Sequence, residues 1–91
     1  MNKIIKFSAS WCGPCKAMAP SFQKFSEEYQ NTVEIQDLDI DEDANFELAR
    51  KYNIKSVPHT VFIKNGDVAT RIYGVADYTK LAEIYKEVYQ S

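Results

Sequence analysis

The chain has 91 residues, of which 45% are apolar and 26% charged, and a net charge of −2. This is the size of one domain, residues 1–91, near the lower limit for folding on a single core, and too apolar for a disordered chain. The near-neutral charge gives no support to nucleic-acid binding or to an anionic membrane surface, and no apolar run approaches the ~20 residues that cross a bilayer.

Ile4, Ile5 and Phe7 form a compact apolar strand, closed by Ser8-Ala9-Ser10. Lys6 interrupts its apolar run, which is too short for a signal peptide and lies too close to Cys12 for cleavage. A helix is predicted from about Gly13 to Gln30, because Met18, Phe22, Phe25 and Tyr29 recur at helical spacing; Pro20 should kink it. Val33 to Leu38 alternates apolar and polar residues as a half-buried strand does. After an acidic stretch, a second helix is expected from about Ala44 to Tyr52, with Phe46, Ala49 and Tyr52 on one side. Asn53 to Pro58 reads as a loop and His59 to Lys64 as a third strand. Asn65-Gly66 is a hairpin turn, since both positions tolerate positive φ, and Val68 to Tyr73 is the fourth strand. Gly74 ends that strand, and Tyr78, Leu81, Ile84, Tyr85 and Val88 line a final helix. The order βαβ–α–ββα predicts an α/β fold: a four-stranded mixed sheet flanked by three helices.

Both cysteines lie in Trp11-Cys12-Gly13-Pro14-Cys15-Lys16. Pro14 suits the first turn of a helix, so Cys12 is placed at a helix N-terminus. Free N–H groups and the macrodipole there favour negative charge, and the thiolate is the reactive form of cysteine. A CxxC opening a helix after a strand, in a βαβ pattern, is a redox motif of thioredoxin type. The other readings are an inert disulfide, or a metal site shared across a dimer. Two cysteines supply only half of a tetrahedral zinc shell, and His59 is the sole histidine. Asp37, Asp39 and Asp41 have the spacing of an EF-hand start, but Glu42 and Leu48 stand where its glycine and last glutamate belong. These acids read as charges before and within a helix first turn.

Several motifs in order extend the match over most of the chain. Trp-Cys-Gly-Pro-Cys-Lys, Pro20, Ser56-Val57-Pro58, Lys64-Asn65-Gly66 and Gly74 together resemble the thioredoxin family. The resemblance implies that Cys12 is the exposed attacking thiolate and Cys15 the more buried resolving thiol. It implies that Pro58 is a cis-proline facing the disulfide, beside a Val57 backbone that pairs with an extended substrate. Trp11, Gly13, Pro14, Val57, Pro58, Gly74 and Val75 are then the substrate-binding rim, with Gly74 there to allow close approach. Trp11 has a second reading as a core aromatic. The implied function is reduction of protein disulfides by mixed-disulfide exchange. The only redox group implied is a reversible Cys12–Cys15 disulfide, with electrons from a thioredoxin reductase using NADPH. The expected partners are oxidised proteins and a recycling system. Monomeric and cytoplasmic are the corresponding expectations for state and location, with no nucleic acid or membrane as partner.

Two departures stand out. The chain reaches its CxxC much sooner than a full-length thioredoxin does, so the family's first strand and helix are expected to be absent. Lys6 stands where thioredoxins carry a buried aspartate that helps move the proton of the second thiol; a lysine buried there is a tuning residue, favouring thiolates by its charge or acting as a base of lowered pKa. His59 replaces the usual threonine after the proline; it is a tuning residue or a structural one. Two alternatives for function are a glutathione-dependent, glutaredoxin-like protein and a thioredoxin-fold binding subunit with incidental thiols.

Overall fold

The structure, a computed structural model, describes residues 1–90. Its elements are β1 (Lys3–Ser8), α1 (Gly13–Tyr29), β2 (Glu34–Asp39), a 3-10 turn (Asp43–Asn45), α2 (Phe46–Lys51), β3 (His59–Lys64), β4 (Asp67–Tyr73) and α3 (Tyr78–Tyr89). One sheet runs in the order β2-β1-β3-β4, with β1 parallel to β2 and antiparallel to β3, and β3 antiparallel to β4. The four-stranded mixed sheet with three α-helices is the expected architecture.

β1 is buried from Ile4 to Phe7 because helices or loops cover both its faces. Ile4 belongs to a cluster with Phe62 and Ile72 of the sheet, Met18, Phe22 and Phe25 of α1, and Leu81 and Tyr85 of α3. Ile5 and Phe7 face the other way, onto Val61, Ile63 and Tyr52, with Leu48, Ala49 and Ile54 around them. The two long helices therefore share one face, and the short α2 helps to cover the other. Lys6 does not reach solvent from this strand: it is 1% exposed.

Helix α1 continues through Pro20 to Tyr29. Phe25 is fully buried, with its ring centroid 5.2 Å from Tyr29 and 6.2 Å from Tyr85. The β3–β4 hairpin turns at Asn65-Gly66, both at positive φ (54° and 87°), as its sequence predicts. The Gly66 and Asn65 N–H groups also donate to Met1 and Asn2, tying the turn to the chain start.

The second helix differs from expectation. It begins with a 3-10 turn, and Phe46 is 55% exposed although Tyr52 is buried. The α-helical part is only Phe46–Lys51, so Phe46 lies in its first turn and does not share the face that Tyr52 buries.

Removing the Phe25 ring leaves a cavity where several aromatic rings meet. Phe25→Ala is expected to lower unfolding stability by about 3–5 kcal/mol, read from the urea midpoint at unchanged slope. A loss below about 1 kcal/mol would show that the cluster collapses into the space.

Candidate active site

The site begins where β1 ends. Cys12 has extended backbone (φ −91°, ψ 108°) and caps α1, with Pro14 in the first turn. Its sulfur accepts the Cys15 N–H at 3.1 Å. This is a free N–H of the helix start directed at sulfur, the arrangement that favours a thiolate. Cys12 and Cys15 are joined as a disulfide, with Cα atoms 5.3 Å apart. Both are 4% exposed. An exposed first and a more buried second cysteine were expected; in the disulfide state the two are equally covered, packed with Ala9, Ile40 and Val57.

The second half arrives from the far part of the chain. The Val57–Pro58 peptide is cis, and the Val57 carbonyl oxygen lies 3.8 Å from Cys12 Sγ. The Gly74 N–H donates to the Pro58 carbonyl at 2.9 Å, joining the end of β4 to this loop. Gly74 has φ +88°, and a Cβ built there meets nothing within 4 Å. Its conformation, not crowding within the chain, calls for glycine. Trp11, Tyr73 and Val75 project beside these segments at 67%, 71% and 56% exposure. Trp11 is thus a surface residue and not a core aromatic. Gly13 and Pro14 are exposed as well, whereas Pro58 is buried.

The acids before α2 have particular partners. Asp41 accepts the Trp11 indole N–H at 2.6 Å, which fixes the ring's orientation. Asp37 accepts from Lys6 Nζ at 3.3 Å and from the Ser8 hydroxyl at 2.9 Å. Among the described residues, no three or more His, Cys, Asp or Glu side chains are grouped to hold a metal ion.

His59, adjacent to the cis-proline, is 2% exposed and packs against the Tyr73 ring, with centroids 4.7 Å apart and planes tilted by 53°. Arg71 Nη1 lies 3.3 Å from its Nε2 and also donates to the Tyr52 carbonyl. Guanidinium only donates, so Nε2 accepts and the ring is neutral.

The thioredoxin family model matches residues 1–87 of the chain that places a helix-capping CxxC against a cis-proline loop. The chain belongs to the thioredoxin family. It is 35% identical over 82 residues to a thioredoxin of Staphylococcus epidermidis, covering 90% of this chain and 77% of that protein. A Staphylococcus aureus thioredoxin is 34% identical with the same coverage. The X-ray structure of Fasciola hepatica thioredoxin superposes with a TM-score of 0.82 at 37% identity, covering 96% of this chain and 80% of that one. The CxxC pair in a thioredoxin domain supports protein-disulfide oxidoreductase activity.

Within this thioredoxin frame, sequence reasoning missed Asp37, Asp41, Tyr73 and Arg71. Asp37 was legible only through strand register: it is the β2 residue opposite Lys6. Tyr73 was legible as the last residue before Gly74, and Asp41 and Arg71 carried no local signal.

Burial first, and the Arg71 guanidinium second, hold the His59 pKa below its ordinary 6.5. The unfolded chain takes up a proton near that value while the native protein does not. Unfolding thus binds more protons, and the His59 contribution to stability is complete above about 6.5 and is lost as pH falls from there through the depressed folded value. Unfolding midpoints of the oxidised protein are expected to fall more steeply below this pH than those of His59→Thr. Parallel profiles would show that His59 titrates alike in both states.

Proposed function

We propose that this protein reduces accessible disulfides in other proteins, with Cys12 as nucleophile and Cys15 as resolving thiol. The observation that carries this reading is the Cys12 sulfur, which caps α1 and lies against the cis Val57–Pro58 loop. The free helix N–H favours sulfur as an anion, and the loop presents backbone for an extended chain to pair with.

Starting from the dithiol, Cys12 thiolate attacks one sulfur of a target disulfide. A Cys12–target disulfide forms and the other target sulfur leaves as thiolate. Cys15 thiolate then attacks Cys12 Sγ, closing the intramolecular disulfide and releasing the second target thiol. Holding both sulfurs in one helical turn makes the second step intramolecular and fast. Trp11, Gly13, Pro14, Val57, Pro58, Gly74 and Val75 form the docking rim in this reading, joined by Tyr73, whose ring is 71% exposed. A thioredoxin reductase drawing on NADPH returns the disulfide to dithiol. In this reading the protein works as a monomer in the cytoplasm.

Cys12→Ser is expected to reduce turnover of a protein disulfide to the uncatalysed level, because a hydroxyl does not replace the thiolate. Cys15→Ser is expected to accumulate Cys12 mixed disulfides, visible as mass adducts that dithiothreitol removes. Full turnover by Cys12→Ser would overturn the assignment. Running the wild type with NADPH and thioredoxin reductase, and in parallel with glutathione and glutathione reductase, identifies the recycling system. Faster turnover with glutathione would move the protein to the glutaredoxin-like reading.

A further inference from the structure

Lys6 is the largest fully buried side chain among the described residues. Its ammonium is 3.3 Å from Asp37 Oδ2 and 5.3 Å from the centroid of the Phe22 ring. Asp37 is held in turn by the Ser8 hydroxyl at Oδ1. The lysine side chain is 2% exposed and the aspartate 45%, so the pair leads from the core to the surface. Thr60, the β3 partner of Lys6, is fully buried and its hydroxyl has no hydrogen-bond partner.

Stability does not account for this charge. Burying an ammonium is costly, and a well-packed apolar side chain in the place of a buried ion pair is often neutral or stabilising. One hydrogen bond also uses only one of its three donors. Lys6, Asp37 and Cys15 line one surface cleft of about 220 Å³. Lys16 from α1 and Asp39 from β2 are the other charged groups on that cleft, and Asp39 Oδ1 is engaged by the Asp41 N–H. Among the described residues no hydrogen bond reaches the Cys15 sulfur, whereas the Cys12 sulfur has the Cys15 N–H. Of the charged groups on the cleft, Lys6 and Lys16 are the cations that favour a Cys15 anion, and of the two only Lys6 is buried.

We propose that the Lys6 ammonium, held by Asp37, stabilises the Cys15 thiolate in the step that releases the reduced target. Asp37 partly neutralises the ammonium, and Lys6 acts by its charge across the cleft. The inference rests on the reductase reading above. In that step the Cys15 S–H ionises and its proton leaves through the open cleft to solvent. The thiolate attacks Cys12 Sγ, the Cys12–Cys15 bond forms, and the bond from Cys12 to the target sulfur breaks. The leaving thiolate takes a proton from solvent. The two cysteines are oxidised by the two electrons that reduce the target disulfide.

The reaction of the reduced protein with dithiobis(nitrobenzoate) separates the steps. Attack by Cys12 releases one coloured thiolate, and attack by Cys15 on the resulting mixed disulfide releases the second. The pH dependence of the second phase reports the ionisation of Cys15. In Lys6→Met this profile is expected to move to higher pH by about 0.5–1 unit, a three- to tenfold slower second phase at neutral pH. In Asp37→Asn the negative charge is gone and the ammonium remains, so the profile moves to lower pH. A purely structural pair would not shift the two variants in opposite directions.

Superimposable profiles, or shifts of one sign, overturn the proposal and leave the reductase reading intact. A wild type that releases only the first thiolate overturns both. If Lys6→Met fails to fold by circular dichroism, Lys6→Gln takes its place: an upward shift supports the role of Lys6, and an unchanged or downward profile refutes it.

Discussion

The register of β1 against its two neighbours is the constraint on which the rest of the molecule depends. This strand is covered on both faces, and a slip of one residue would exchange the Ile4 side with the Ile5 side and place every side chain in the wrong layer. Fixing that register fixes the site. Parallel pairing with β2 sets Lys6 opposite Asp37 and Ser8 opposite Asp39. Antiparallel pairing with β3 sets Phe7 opposite His59, which puts Pro58 beside the end of β1. The turn after β1 then has Cys12 within 3.8 Å of the Val57 carbonyl.

The electrostatics of the two cysteines differ as a result. Cys12 is served by the helix it caps, through an N–H already committed in place. Cys15 lies inside the first turn and shares its cleft with charges brought from two strands. One half of the dithiol thus depends on local structure, and the environment of the other depends on sheet pairing between residues 31 positions apart.

The acidic run from Asp37 to Asp43 illustrates how one composition serves several ends. Read as a sequence, it is a solvated approach to a helix. In the structure Asp37 holds a buried lysine, Asp39 supports the loop through the Asp41 N–H, and Asp41 orients an exposed indole. The difference lies in β2, whose end delivers these side chains toward the turn between β1 and α1. Lys6 is the reverse case. It broke an apolar run and so read as an interruption, yet it is buried because its strand is central and its ammonium finds Asp37.

What the sequence determined by itself was everything governed by short-range rules. The helix start at Cys12, the hairpin at Asn65-Gly66, the apolar stripes and the CxxC chemistry all follow from residue type and spacing. The family motifs extended that reach to the cis Val57–Pro58 peptide. The short second helix was less legible, since a periodicity linking Phe46 to Tyr52 does not say that the helix begins only at Phe46, after a 3-10 turn, with that ring left outside. Only the tertiary structure decided which acid meets Lys6, that His59 is enclosed by Tyr73 and Arg71, that Asp41 holds Trp11, and that Gly74 has a positive φ. These are contacts between segments far apart in the chain. Strand pairing and burial create them, and neither is written in the local pattern of any one segment.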